Sequence, residues 1–299
     1  MGRLFAVPFV LDVCCCKGTF SKGLCCNNCI ETYFGKVYVI MINFGASTAC
    51  FYPEVTENAV KQLANLNVKT IEIFYNSPSE YRTGFLTEIK KILDSHGMHA
   101  VSMHPYNSIS EPFMFFTNYE RRFTDTLEEY KIYFDQMHLL GSEIFVFHGD
   151  RHDSKFPTEQ YYERFGKLSE AGKQHGIIVA QENVQRCRSR EVSFIEGMKK
   201  YLGDTVHFVL DVKQAIRSGL SPFDMLSAMG KQMVHLHIND NDEAHDCLLP
   251  GEGTFDFESF FDRLNQLQYH GAALIEVYRQ NFNLPEEISC SLNFLKKFQ

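Results

Sequence analysis

Seven side chains that could bind a metal ion or transfer a proton lie in or at the end of short apolar runs. They are His104, His148, Glu182, Asp211, His235, His237 and Glu276. A single histidine or glutamate in such a place is commonly a hydrogen-bonded structural residue. Seven of them in six successive runs are harder to explain in that way, because charged groups among apolar side chains are costly unless they are paired or bound to a cation.

The three carboxylates in this set would repel one another if they faced one enclosed space, and a divalent cation would supply the missing positive charge. We therefore predict one divalent metal ion, held by Glu182, Asp211, His237 and Glu276. Because these ligands include no thiolate, they favour Mn²⁺, Mg²⁺ or Co²⁺, with Zn²⁺ as an alternative.

The elements that must position these residues repeat eight times from Met41 onward. The predicted strands are Ile42–Ser47, Thr70–Tyr75, Ala100–His104, Glu143–His148, Ile177–Glu182, His207–Asp211, Met233–Asn239 and Ala272–Tyr278. The predicted helices are Val55–Leu66, Phe85–Ser95, Arg122–Leu140, Thr158–His175, Phe194–Leu202, Phe223–Met229, Phe257–Gln268 and Pro285–Phe298. Such alternation is typical of parallel strands joined by helices.

Eight such units predict a single-domain (β/α)₈ TIM barrel over residues 41–299, in which catalytic groups come from the C-terminal ends of the strands. The alternative is a doubly wound open sheet with a glycine-rich phosphate loop after its first strand. Gly45-Ala-Ser-Thr does not match that loop. Four predicted helices run into a glycine before the next strand, as expected of a helix-terminating glycine with positive φ. These are Gly97, Gly141, Gly176 and Gly271.

Residues 1–40 do not continue this pattern, and we predict an irregular, Cys-rich N-terminal extension with Met41 as the working start. Seven of the ten cysteines lie in the first fifty residues, so the barrel itself has the composition of a reduced, cytoplasmic protein. Cys26 and Cys29 form a CxxC, but no second pair follows at zinc-finger spacing. A secretory signal is disfavoured by Asp12 and the cysteine triplet after it.

The overall charge and hydropathy narrow the choice of partner. The net charge of -8 argues against nucleic acid, because proteins that bind it usually carry a basic face. No apolar run approaches the roughly 18–20 residues of a membrane helix. We expect a small-molecule substrate, and the sequence leaves open whether the chain forms a homo-oligomer.

Taken in order, the motifs at these strand ends resemble those of the xylose-isomerase-like TIM-barrel superfamily, which includes sugar phosphate isomerases and epimerases. The resemblance covers residues 41–299. It is carried by His104-Pro-Tyr, Phe147-His-Gly, Glu182-Asn, Leu210-Asp, His237-Ile-Asn-Asp, Leu249-Pro-Gly-Glu-Gly and Ile275-Glu-Val-Tyr. In the ketose 3-epimerase branch, the matching positions hold the metal. The resemblance implies that Glu182 and Glu276 also exchange the substrate proton.

Further residues are expected to contact the substrate. His104 and His148 would hydrogen-bond its hydroxyls, and Gln214 and Arg279 are also predicted to bind it. Lys213 is an alternative partner for a carboxylate or phosphate. The segment beginning at Leu249 is predicted to be a mobile loop covering the site.

Two departures from the resemblance limit the choice of substrate. The endonuclease IV branch requires a histidine three residues after the strand-six aspartate, where this chain has Gln214, so DNA repair is the less favoured alternative. Epimerases of this type usually have a histidine at the same place and an arginine soon after the strand-seven histidine. Here Asn239–Asp242 follow instead. We therefore expect a substrate different from theirs.

The function predicted from these residues is metal-dependent isomerisation or epimerisation of a sugar or sugar phosphate, by proton transfer next to a carbonyl through an enediolate. A metal-dependent dehydratase acting on a polyol or inosose would use the same ligands and acid–base pair. A sugar-binding barrel without turnover is the non-enzymatic alternative, but a binding module has no need of four inward-facing ligands.

Overall fold

The computed structural model describes residues 42–298, so the extension predicted for residues 1–40 lies outside the described part. Eight strands form a closed, parallel barrel in chain order, with β8 pairing with β1. They are β1 (Asn43–Ser47), β2 (Thr70–Phe74), β3 (His99–His104), β4 (Ile144–Phe147), β5 (Ile178–Glu182), β6 (His207–Asp211), β7 (Met233–Ile238) and β8 (Ala272–Ile275). The predicted (β/α)₈ barrel is confirmed, and the open sheet is excluded.

Ten α-helices lie in the described residues, and the longer ones follow the strands as predicted. They are α1 (Thr56–Asn65), α2 (Thr83–His96), α3 (Glu111–Met114), α4 (Glu120–Leu140), α5 (Thr158–Gln174), α6 (Val192–Leu202), α7 (Val212–Arg217), α8 (Pro222–Met229), α9 (Phe257–Gln266) and α10 (Glu286–Leu295). Between residues 42 and 298, no helix is both long enough and apolar enough to cross a membrane.

Side chains alternate between the two faces of each strand, and this alternation separates the hydrophobic core from the site. Phe145, Phe147 and Val179 belong to the large core that packs against the helices. Val146 and Ala180 belong to a separate, small apolar cluster. Since Glu182 lies two residues beyond Ala180, it shares that inner face, at the C-terminal end of the barrel.

Four of the predicted strands extend too far at their C-terminal ends, and two of these ends carry site residues. β4 ends at Phe147 and β8 ends at Ile275, so His148 and Glu276 are the first residues after their strands. The backbone N–H of His148 donates to the Glu111 carboxylate, which ends the regular pairing there.

The helix-terminating glycines are confirmed at three of the four predicted positions. Gly97 and Gly141 close α2 and α4 in the left-handed conformation, and Gly176 also has a positive φ. Gly271 does not, because α9 ends earlier and the left-handed residue there is Gln268. Gly271 is instead held in a close packing position, where a Cβ would lie 2.5 Å from the Val234 carbonyl oxygen.

Candidate metal centre

The four predicted metal ligands come together at the C-terminal ends of β5 to β8. One ligand atom from each of Glu182, Asp211 and His237 lies within 4.8 Å of the other two. Glu276 completes the set, with its Oε2 at 2.9 Å from His237 Nδ1. Register brings two of them side by side, because Asp211 on β6 pairs with His237 on β7.

The carboxylate oxygens in this cluster are poorly satisfied by the protein alone. Glu182 Oε2, Asp211 Oδ2 and Glu276 Oε2 are buried, and each has a side-chain nitrogen within 2.9 Å but accepts no hydrogen bond of good geometry. Buried acceptors are nearly always well paired, so three incompletely satisfied oxygens in one space could take a cation as an additional partner. Oxygen ligands with one imidazole are also a donor set that divalent metals accept. The residues present therefore fit a divalent ion.

His237 faces this cluster with one ring nitrogen only. Its Nδ1 lies 3.3 Å from Glu182 Oε1 and 3.8 Å from Asp211 Oδ2. Burial alone would lower the pKa of His237, but the negative charges of Glu72 and Glu276 outweigh it and raise the pKa well above its ordinary value. The surrounding carboxylates thus favour positive charge at this point of the barrel.

Lys213 places an ammonium group among the same ligands. Its Nζ lies 2.8 Å from Asp211 Oδ2 and 3.1 Å from Glu276 Oε1, and the side chain is buried. Burial opposes its charge, but Asp211 and Glu276 hold its pKa well above the usual range. One ammonium cannot balance three carboxylates, so this pairing reduces the negative charge of the centre without cancelling it.

His104 and His148 lie on the other side of Glu182. His148 Nε2 is 2.8 Å from Glu182 Oε2, and His104 Nε2 is 3.9 Å from the same oxygen. Burial, helped by the nearby His104, lowers the pKa of His148 to about 4, so this imidazole is neutral at neutral pH. With Glu182 these histidines form a second group whose spacing would also accommodate a metal.

The side chains of Gln214 and Arg279, the other predicted substrate-binding residues, hydrogen-bond to backbone groups of nearby loops. Gln214 Oε1 accepts a hydrogen bond from the backbone N–H of Gln185. Arg279 donates to the carbonyl oxygens of Phe282 and Asn283, and its guanidinium lies over the Phe282 ring. The structure does not bring these two side chains into the metal cluster, and their substrate roles remain predictions.

Two buried carboxylates near the site were not singled out from the sequence. Glu72, in the middle of β2, is fully buried, and its Oε2 lies 3.1 Å from His237 Nε2. Glu111 accepts hydrogen bonds from the backbone N–H groups of His148 and Gly149, and burial raises its pKa to about 8. The usable signal for Glu72 was a lone acid inside the apolar run Thr-Ile-Glu-Ile-Phe.

The loop after β7 is held by Asp240. Its two carboxylate oxygens accept hydrogen bonds from the backbone N–H groups of Gly251, Gly253 and Phe255. Glu252 is exposed at the turn. The predicted mobile loop is therefore tied to the residue three positions after His237.

Known proteins resemble this chain over most of its length. An uncharacterized protein of Methanocaldococcus jannaschii, MJ1311, is 25% identical over 282 residues, which are 87% of this chain and 90% of that protein. Among solved structures, a D-tagatose 3-epimerase-like protein superposes with a TM-score of 0.71 at 18% identity, covering 86% of this chain and 97% of its own. The IolI protein, solved with a zinc atom, gives a TM-score of 0.70 at 16% identity, covering 86% and 99%.

At such identities the structural similarity establishes the fold alone. The family model described as "Xylose isomerase-like TIM barrel" matches residues 60–298, which is most of the chain and spans β2 to β8 with all the predicted ligands. The protein therefore belongs to the xylose isomerase-like TIM barrel family.

Proposed function

We propose that this protein is a divalent-metal-dependent enzyme that isomerises or epimerises a sugar, or sugar phosphate, by moving a proton next to a carbonyl group. The proposal depends most on one observation: carboxylate oxygens of Glu182, Asp211 and Glu276 all lie within 3.8 Å of His237 Nδ1, so three acidic groups and one imidazole face a single buried space. Similarity in fold to a D-tagatose 3-epimerase-like protein and to zinc-bound IolI supports both the reaction class and the metal.

The metal would be held by Glu182, Asp211, His237 and Glu276, and when bound it would supply Lewis-acid stabilisation of negative charge on substrate oxygens. Mn²⁺, Mg²⁺ and Co²⁺ suit this oxygen-rich set best, and Zn²⁺ is the alternative. Asp211 and His237 then serve as ligands only.

Glu182 and Glu276 are the proposed acid–base pair. Glu276 is partly buried, and desolvation alone would raise its pKa, but Lys213 and His237 lower the pKa to about 2. Burial likewise opposes ionisation of Glu182, and His148 outweighs it, so its pKa lies well below the ordinary value. Both groups are thus carboxylates at neutral pH, able to accept a carbon-bound proton. Return of the proton to the opposite face gives an epimer, and return to the neighbouring carbon gives an isomer.

His104 and His148 would orient the substrate. A neutral His148 has one donor and one acceptor, and a sugar hydroxyl would replace one of the contacts that these nitrogens make to Glu182 and Arg186. The guanidinium of Arg186 lies 2.7 Å from His148 Nδ1. Because Arg186 can only donate, Nδ1 must accept, and the ring proton is then on Nε2, facing Glu182. Gln214 and Arg279 would contact the substrate by exchanging their present loop contacts for it.

Hydrogen exchange with solvent tests the acid–base roles directly. Protein loaded separately with Mn²⁺, Co²⁺, Mg²⁺ or Zn²⁺ is incubated in D₂O with a panel of ketoses that includes D-tagatose, their phosphates and polyols, and products are analysed by NMR. We expect deuterium at a carbon next to the carbonyl, and loss of this exchange in both Glu182→Gln and Glu276→Gln. Exchange that survives both changes would contradict the assignment. Loss of water from a polyol would establish the dehydratase alternative instead.

A further inference from the structure

We infer that Glu72 is a positioning residue that holds the His237 ring with Nδ1 toward the metal. This inference depends on the proposed metal centre, which it extends by a residue outside the ligand set. Glu72 Oε2 accepts a hydrogen bond from His237 Nε2 at 3.1 Å. The two ring nitrogens therefore face different partners, Nε2 toward Glu72 and Nδ1 toward the ligand carboxylates.

The chemistry of imidazole makes this division useful. A neutral imidazole has one N–H and one lone pair, and a metal needs the lone pair. A carboxylate can only accept a hydrogen bond, so Glu72 requires a proton on Nε2, and a metal that takes the place of the Nδ1 proton finds the lone pair on Nδ1. Carboxylate partners of metal-bound histidines fix the ring orientation and raise ligand basicity in the same way.

The strand register places two hydroxyl groups beside Glu72. Ser47 on β1 and Ser102 on β3 each pair with Glu72 in the sheet, so all three side chains project from the same face. Ser47 Oγ donates to Glu72 Oε1 at 3.1 Å, and Ser102 Oγ donates to Oε2 at 2.8 Å. Hydrogen bonds from both neighbouring strands therefore fix the orientation in which the Glu72 carboxylate contacts His237.

The Glu72–His237 contact also crosses the barrel interior. In the closed sheet, β1 and β8 separate β2 from β7, so the two residues meet through the barrel and not along its wall. Both side chains are buried, and His235, also buried, lies 3.5 Å from the same Glu72 oxygen. A buried carboxylate that served packing alone would cost more than an apolar side chain of similar size. Because Glu72 contacts a proposed metal ligand, positioning that ligand is a function that could offset this cost.

Metal titration tests the inference. Co²⁺ affinity is measured by calorimetry for the wild-type chain, Glu72→Ala, Glu72→Gln and the control Glu80→Ala. Glu80 is a second buried carboxylate; it accepts hydrogen bonds from Thr56 and Asn76, away from the centre. We expect Glu72→Ala to bind Co²⁺ about 10–100-fold more weakly. Glu72→Gln should lose less, because its amide oxygen still accepts from Nε2, and Glu80→Ala should bind like the wild type.

The titration distinguishes a failure of this inference from a failure of the proposed function. If Glu72→Ala binds Co²⁺ as tightly as the wild type, Glu72 does not position His237, and the metal centre stands. If the wild type binds no metal, the proposed function fails and this inference fails with it.

A measurement on the wild type alone covers the case in which Glu72→Ala does not fold. In protein labelled with ¹⁵N-histidine and loaded with diamagnetic Zn²⁺, we expect His237 to carry a slowly exchanging proton on Nε2 with Nδ1 bound to the metal. Comparison with His237→Gln assigns the signal. A metal-bound Nε2 would overturn the inference.

Discussion

Lys213 Nζ lies 2.8 Å from Asp211 Oδ2, so a buried ammonium group contacts a residue predicted to bind the metal. Lys213 lies on α7, which begins directly after Asp211 at the end of β6. The chain thus places a cation two residues after a ligand, where it offsets part of the negative charge of the centre.

Replacing Lys213 by methionine should destabilise the metal-free protein. Removing one partner of a buried ion pair typically costs about 3–5 kcal/mol, because the other charge remains buried and unpaired. A metal that binds only the folded chain should restore much of this loss, so the metal-induced rise in melting temperature should be larger than in the wild type. Thermal denaturation with and without Mn²⁺ measures both quantities.

Arg217→Met is the matched control for this change. Arg217 also lies on α7, but its ion pair with Asp246 is partly exposed. Partly exposed pairs contribute about 0–1 kcal/mol to stability, so the melting temperature of this variant should be close to that of the wild type. Added Mn²⁺ should raise it by about as much as it raises that of the wild type. A metal-free Lys213→Met as stable as the wild type would show that Lys213 does not compensate the ligand charges.

Glu111 should make folding stability depend on pH. Its pKa is about 8 in the folded protein, raised by burial from an ordinary value of 4.5. Between these values the folded state binds more protons than the unfolded state, so stability falls as pH rises. The slope from this one group is at most about 1.4 kcal/mol per pH unit. The contribution is fully present below pH 4.5 and is lost as pH rises through 8.

Glu111→Gln checks this dependence, because glutamine resembles the protonated acid and can still accept from the N–H groups of His148 and Gly149. Urea denaturation at a series of pH values should show a smaller loss of stability between pH 5 and 8 in this variant than in the wild type. Parallel curves for the two proteins would mean that Glu111 ionises as readily in the fold as in the unfolded chain.

The barrel, and the strand ends that carry the proposed ligands, were predictable because both depend on local sequence patterns. Glu182 and Asp211 end apolar runs that alternate with amphipathic helices, and this alternation specifies strand ends without any knowledge of distant contacts. The boundary errors that concern the site were at β4 and β8, where His148 and Glu276 already leave the regular pairing.

The residues that sequence reasoning missed depend on contacts between distant segments. Glu72 lies 165 positions before His237 and meets it only because the sheet closes. The side-chain oxygen of Gln214, predicted to face the substrate, accepts a hydrogen bond from the backbone of the neighbouring loop, a choice that no local pattern encodes. The residue types at the strand ends indicated metal binding and proton transfer. Which other side chains contact those residues depends on how the barrel closes.

Asp240 should hold the loop after β7 closed. Asp240→Ala removes the acceptor for three backbone N–H groups in residues 251–255, and these groups would then have to find water. We expect faster limited proteolysis within residues 241–255 while the circular dichroism of the barrel is unchanged. Asp242→Ala is the control, because Asp242 accepts only from the nearby residues Ala244 and His245. Equal cleavage of the two variants would contradict an anchoring role for Asp240.

His148→Asn distinguishes a substrate-binding histidine from a metal ligand. The proposed centre uses Glu182, Asp211, His237 and Glu276, so elemental analysis should find about one divalent metal per chain in the wild type and in His148→Asn. Glu182→Ala and His237→Ala should both lose it. Since His148 would then act on the substrate, its replacement should raise KM with little change in metal affinity.

Loss of metal in His148→Asn would instead identify His148 as a metal ligand. His104, His148 and Glu182 are close enough to hold an ion of their own, and Glu182 would be shared between the two sites. Two metals in the wild type and one in His148→Asn would therefore show a dinuclear centre. Glu182 would then bridge two ions and would no longer be free to accept a substrate proton, so the base would have to be Glu276 or a metal-activated water molecule.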